Sequence, residues 1–170
     1  RPRGREVLVE HALGTTVAGS VIACAGAFSD RLAQASGAGA DPRIVPFRGA
    51  YLRLRPERRG LVRSLLYQVP DPGLPFLGVH FTRHVDGEVY LGPTALLVPR
   101  LRSLAWPGTW RLVRRWWRTG AAELRYAAGT RAYAAEAARY VPSLRHGDVR
   151  PAFTGVRAQA LGRDGALLDD

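Results

Sequence analysis

The sequence has no lysine. All 25 of its basic side chains are arginine, set against 14 acidic residues, for a formal net charge of +11. A charge of that size raises polyanion binding as a first reading. The chain is equally rich in alanine and glycine, and a GC-rich coding sequence yields that bias without selection for a polyanion. Nucleic acid is therefore not an expected partner. There is one cysteine, which excludes a disulfide framework and a multi-cysteine metal site. Cys24 lies in the small apolar run VIACAG, which predicts a buried and inert thiol. No apolar run has the length of a membrane-crossing helix, and no signal peptide is seen. What is present is enough hydrophobic residue, 46%, to bury a core. The length fits one ordinary domain or a large piece of a bigger protein. The chain opens at Arg1, directly before a strand-like EVLVE, as a piece of something longer would.

Apolar periodicity and turn residues predict the elements. EVLVEHALGTTVAGSVIACAG reads as a strand, a glycine turn and a second, buried strand. SDRLAQASG reads as a short helix, capped by Ser29 and stopped by Gly37. IVPFRGAYLRL is a strand in which Pro46 and Gly49 signal an edge, a bulge or the close approach of another group. A basic turn and a further strand are expected in PERRGLVRSLLYQVP. Asp86-Gly87 predicts a hairpin, and a two-residue turn there sets Thr82 across from Leu91 and His80 across from Pro93. Helices are expected at about 107–118 and 121–140, then a closing hairpin near Asp164-Gly165. Strands, helices and strands in that order predict an α+β domain with a mostly antiparallel sheet.

Period-two alternation over 76–83 places Leu77, Val79 and Phe81 on a core face. Phe76, Gly78, His80 and Thr82 take the other. A glycine followed by two polar groups suits a ligand; the same pattern also suits residues that simply face water or a helix. Arg48 in PFRG and Arg157 in TGVRAQ are each placed to hold a carboxylate through a guanidinium fork, or to be surface arginines of an arginine-rich protein.

The blocks CAGAFSDRLA, IVPFRGAYLRLRPE, VPDPGLPFLGVHFTRHVDGEVYLGP and GVRAQALGRDGALLDD resemble successive blocks of the L-2-hydroxyglutarate oxidase/dehydrogenase family. That family belongs to the FAD-dependent oxidoreductases of the D-amino-acid-oxidase type. The resemblance covers most of the chain and is weakest from about 100 to 150. It implies FAD as cofactor and oxidation of (S)-2-hydroxyglutarate, a 2-hydroxy dicarboxylate, to 2-oxoglutarate by hydride transfer to the flavin, with oxygen or the respiratory chain as electron acceptor. Residue by residue, it implies that Cys24, Ala25 and Gly26 approach the dinucleotide. It places Arg48, Tyr51, Thr82 and Arg157 on the substrate, with His80 as base or orienter. It divides the chain into a partial FAD-binding segment at 1–37, a substrate-binding domain at 38–150 and a return segment at 151–170.

The sequence departs from the family pattern at three positions. Ala50 stands where an acidic residue is expected, Thr94 where an asparagine is usual, and Gln68 where a proline is. A G-x-G-x-x-G cradle for a pyrophosphate is absent, and so is the glycine- and alanine-rich segment expected to complete the FAD site. The 170 residues by themselves are therefore expected to bind FAD poorly; a yellow, stoichiometrically flavinylated preparation would contradict this. Two other readings remain beside the flavoenzyme: a non-catalytic substrate-binding module, and a polyanion or membrane-surface binder. The last rests on WPGTWRLVRRWWRTG, where Trp106, Trp110, Val113 and Trp117 fall near one helical face among arginines. The expected location is cytoplasmic, with peripheral contact at the inner face of the cytoplasmic membrane. The spacing of seven in Tyr126, Tyr133 and Tyr140 predicts packing.

Overall fold

The computed structural model describes residues 2–3, 6–69 and 78–168. The proline-rich bend at 70–75, and Phe76 and Leu77 of the expected strand, lie outside the described residues. Strands β1 (Pro2–Arg3), β2 (Glu6–His11) and β3 (Gly14–Ala18) form a small antiparallel sheet. The glycine turn falls where the sequence places it, with His11 paired to Gly14. The second strand is not buried as expected: β3 is exposed along most of its length, and residues 20–25 form no element. Cys24 is exposed, as are Val21 and Ile22, because this run joins neither core cluster of the chain. Helix α1 (Ser29–Ala35) begins at Ser29 rather than being capped by it. The chain enters this helix from a 3-10 turn, Gly26–Phe28, so the cap position falls on Phe28. The stop is as expected: Gly37 N–H donates to Gln34 O and Ala38 N–H to Ala33 O.

The main sheet is antiparallel, as the sequence predicts. Its strands are β4 (Arg43–Leu54), β5 (His80–Arg83), β6 (Val89–Gly92), β7 (Leu96–Leu97), β8 (Val149–Leu161) and β9 (Leu167–Leu168). Their order is β5-β6-β4-β8-β9, with β7 also on β4. β4 is central. It runs beside β8 from Arg43↔Leu161 to Leu54↔Val149, with a register shift between Ala50 and Leu52. Pro46 and Gly49 thus mark a strand with a bulge and a close approach, not an edge. A Cβ on Gly49 would lie 2.8 Å from Pro93 Cβ and 3.1 Å from Thr94 O.

The strand expected after the basic turn is reduced to one bridge, Leu66↔Phe81, following a 3-10 helix at Pro56–Leu61. The hairpin at Asp86-Gly87 is present, but its register differs by one residue. His80 pairs with Gly92 and Thr82 with Tyr90. The loop has three residues, not two: Gly87 N–H donates to His84 O, His84 N–H donates to Glu88 O, and Gly87 takes φ +83°. The closing hairpin uses the same device, with Gly165 at φ +87° and Gly165 N–H on Gly162 O. In both, the aspartate before the glycine accepts from the N–H two residues on, Asp86 from Glu88 and Asp164 from Ala166.

Between β7 and β8 lie helices α2 (Leu101–Leu104), α3 (Pro107–Arg115), α4 (Trp117–Ala128) and α5 (Thr130–Ala137). The two expected helices are therefore broken, at Trp116 and at Gly129. Gly129 is extended and cannot continue a helical turn. Two core clusters result. One joins Leu52, Leu54, Phe81, Val89 and Leu91 to Tyr133, Ala134 and Ala137 of α5. The other joins Val45 and Phe47 to Trp106, Leu112 and Leu161. Trp106 anchors the second: its Nε1–H donates to Leu161 O at 3.1 Å, and Arg43 and Arg163 lie over its ring.

Candidate active site

The short strand β5 and the residue before it fix the histidine. Val79 and Phe81 are buried in the core as predicted, which turns His80 and Thr82 to the opposite face. His80 does not face open water: only 9% of it is exposed. Its ring stacks on Tyr67 with centroids 4.6 Å apart, and its Nδ1 lies 3.2 Å from Gly78 O. A carbonyl only accepts, so Nδ1 carries the proton and Nε2 keeps its lone pair. Burial holds the His80 pKa below its usual 6.5. The Gly78 bond pushes it back up, and the positive charge of Arg157 pushes it down. Above pH 6.5 His80 is thus a neutral imidazole, with Nε2 as its basic nitrogen.

Thr82 pairs with Tyr90, whose ring meets Phe153 edge-on at 5.3 Å; Phe153 in turn stacks on Tyr51 at 4.6 Å. The structure therefore brings Tyr51 and Thr82 onto one aromatic surface. Arg157 pairs with Phe47, and Arg48 pairs with Val156. Neighbouring positions on one strand point to opposite faces, so the two arginines stand back to back. Arg157 is half-buried, and its charge is felt at His80, Glu123 and Tyr133. Arg48 is exposed and joins none of these.

Glu123 and Tyr133 were not singled out from the sequence. Glu123 Oε2 accepts from Ala95 N–H at 2.5 Å, and burial pushes its carboxyl above 4.5. Tyr133 is 3% exposed, and its hydroxyl has no hydrogen-bond partner among the described residues. Burial, with Glu123 next, pushes its pKa far up, so it stays a neutral donor. The available signals were faint: Glu123 is the sole acid of α4, and Tyr133 belongs to the tyrosine spacing of seven. That spacing does report packing, as the Tyr126 and Tyr133 rings are 5.4 Å apart.

Cys24 and Gly26 are exposed, Ala25 is partly so, and the turn that begins at Gly26 lies beside β4 and β8. Nothing stands within 4 Å of where a Cβ on Gly26 would be. A bare backbone of this kind fits contact with part of a dinucleotide. These residues supply no pyrophosphate cradle.

The family model described as FAD dependent oxidoreductase matches residues 1–169. The chain belongs to this family. It is 45% identical over 164 residues to the mitochondrial L-2-hydroxyglutarate dehydrogenase of Nematostella vectensis, covering 88% of this chain and 36% of that protein. Against the protein of the same name from Caenorhabditis briggsae it is 42% identical over 165 residues, covering 89% of this chain and 38% of the relative. The L-2-hydroxyglutarate dehydrogenase of Indibacter alkaliphilus is 39% identical over 165 residues, with 88% and 41% covered. The chain thus spans well under half the length of the curated relatives that it matches. Among the described residues no three His, Cys, Asp or Glu side chains group to hold a metal, and no helix is long and apolar enough to cross a membrane.

Proposed function

We propose that the chain forms the substrate side of a flavoenzyme that oxidises (S)-2-hydroxyglutarate to 2-oxoglutarate. The observation that carries this reading is the desolvated His80, its Nδ1 held at Gly78 O, within the field of Arg157. Arg157 holds one carboxylate of the hydroxy acid. His80 Nε2 takes the hydroxyl proton as the C–H bond breaks, so the O–H electron pair becomes the new C=O bond. When bound, FAD would supply the two-electron acceptor for that hydride, with oxygen or the respiratory chain as the final acceptor. Cys24, Ala25 and Gly26 contact the dinucleotide, and Tyr51 and Thr82 line the substrate surface. Residues 1–37 go with the flavin side, 38–150 with the substrate, and 151–170 lead back.

The test is anaerobic reduction of the flavin-loaded enzyme by (S)-2-hydroxyglutarate, followed by loss of the visible flavin absorbance. His80→Gln should slow it by roughly 10²–10⁴-fold. Reduction at the unaltered rate would remove His80 from the chemistry. Failure of (S)-2-hydroxyglutarate to reduce the enzyme at all would end the substrate assignment.

One observation favours a further contact. Trp110 and Trp117 are 59% and 60% exposed on arginine-rich helices, beside Val113, while Trp106 is withdrawn into the core. We infer that this face rests on an anionic membrane surface. Sedimentation with phosphatidylserine vesicles should be lost on replacing Trp110 and Trp117 with serine. No binding at low salt by the unaltered protein would dismiss the contact.

A further inference from the structure

A cavity of about 430 Å³ opens beside the candidate active site, lined by Gly78, Pro93, Arg118, Glu123, Tyr126 and Tyr133 among others. It reaches Gly78 and Val79, the two residues before His80. Its volume is that of a small-molecule site. Its lining has a chemical asymmetry. Tyr133 buries a hydroxyl that finds no partner among the described residues, although the ring is fixed by Tyr126 and by the core around α5. A buried hydroxyl left without an acceptor is a cost that folding alone does not require. An occupant that brings an acceptor removes it.

The surrounding charges say which acceptor. Arg118 lines the same cavity, and the positive charge of Arg157 reaches Tyr133. Glu123 is the acidic group nearest in influence. One of its oxygens is engaged with Ala95 N–H, and the positive charge of Arg157 acts on it as well as on Tyr133. Glu136 lines the cavity too, but it is paired with Arg139 at 2.8 Å. A neutral phenol and two guanidinium groups, with both acids of the lining already engaged, together suit an anionic ligand with oxygen acceptors, namely a carboxylate.

We propose that this cavity is a carboxylate subsite in which Tyr133 donates a hydrogen bond to one end of a short dicarboxylic acid, making Tyr133 a specificity-determining residue for dicarboxylates over monocarboxylates. The inference rests on the hydroxy-acid reading given above, which leaves the second carboxylate of the substrate without a named partner. Tyr133 is a substrate contact in this scheme, and the proton transfer remains with His80.

The test separates the subsite from the chemistry by using ligands that cannot be oxidised. Glutarate and butyrate are titrated into the 170-residue protein by calorimetry, with the unaltered protein and Tyr133→Phe compared. The phenylalanine keeps the ring against Tyr126 and removes only the hydroxyl. Glutarate should bind the unaltered protein and raise its Tm, and Tyr133→Phe should weaken glutarate by about tenfold or more while leaving butyrate unchanged. Without ligand, Tyr133→Phe should melt at the same temperature as the unaltered protein or higher, which shows that lost binding is not lost folding. Equal glutarate affinity in the two proteins overturns the subsite even if (S)-2-hydroxyglutarate still reduces the flavin-loaded enzyme. So does the absence of glutarate binding to the unaltered protein. If (S)-2-hydroxyglutarate also fails to reduce the loaded enzyme, the functional reading falls with it.

Discussion

His80 shows how a single side chain is prepared by its surroundings. Its strand neighbours are core, its ring lies on Tyr67, and its Nδ1 is held at Gly78 O. The pKa sits below 6.5 chiefly through burial, with Arg157 adding in the same direction. Neutral imidazole is thus favoured in the folded state. This contribution to stability is present above pH 6.5 and is lost as pH falls through the lowered value. With His80 in the proposed role of base, the activity plateau should likewise extend below pH 6.5. Arg157→Gln removes a nearby positive charge, so the His80 ring resonances followed by NMR should titrate at higher pH than in the unaltered protein. An unmoved titration would show that Arg157 does not act on His80.

Glu123 runs the other way. Its folded pKa is raised above 4.5, so its contribution to stability is whole below pH 4.5 and is lost as pH rises through the folded value. Glu123→Gln keeps an acceptor for Ala95 N–H and abolishes that titration. The Tm of the variant should therefore decline less than that of the unaltered protein as pH rises from 4.5. Parallel melting curves would place the charge in water instead. Two of the three residues at which the sequence departs from the resembled family meet each other. Ala50 N–H donates to Thr94 Oγ1 at 3.0 Å, and Thr94 N–H donates to Ala50 O at 3.1 Å, so the two altered positions face each other.

At the scale of elements, local chemistry was the readable part. Asp86-Gly87 and Asp164-Gly165 located both turns, because an aspartate and a left-handed glycine determine a tight loop by themselves. Loop length was not readable, since the extra residue depends on strand twist, and a one-residue error in register followed for His80 and Thr82. The Ser29 cap failed because a 3-10 turn precedes the helix. The exposure of β3 and of Cys24 escaped the sequence for a different reason: apolar pattern predicts what would be buried given a covering layer, not whether this chain supplies one. Helix α3 meets the closing hairpin at a point where composition gives no warning. A Cβ on Gly108 would collide with Gly162 O, a backbone atom with no room to yield. Gly108→Ala should cost about 1–3 kcal/mol, read as a shift in the urea midpoint. A midpoint unchanged within error would mean that the contact is looser than the geometry implies.

Over the whole molecule, the antiparallel α+β architecture and the residues of β5 were legible because alternation and turn signals are local. The gathering of Arg157, Glu123 and Tyr133 was not. It joins a strand near one end of the chain to two helices through β4 and the segment after Gly92, and nothing in the spacing of those residues reports it. The separation of Arg48 from Arg157 is of the same kind, since it follows from pairing register alone. β4 carries a consequence of its own. Val45 and Phe47 belong to one core cluster, and Leu52 and Leu54 of the same strand belong to the other. Neither cluster can melt without loosening the backbone that the other grips, so the strand acts as an axle shared by two wheels. Fluorescence of Trp106 reports one cluster and near-ultraviolet dichroism of Tyr133 the other; with the remaining tryptophans replaced, their urea transitions should coincide. Such an axle also gives the ligand binding proposed beside Tyr133 a route to stiffen the tryptophan cluster through the backbone of one strand.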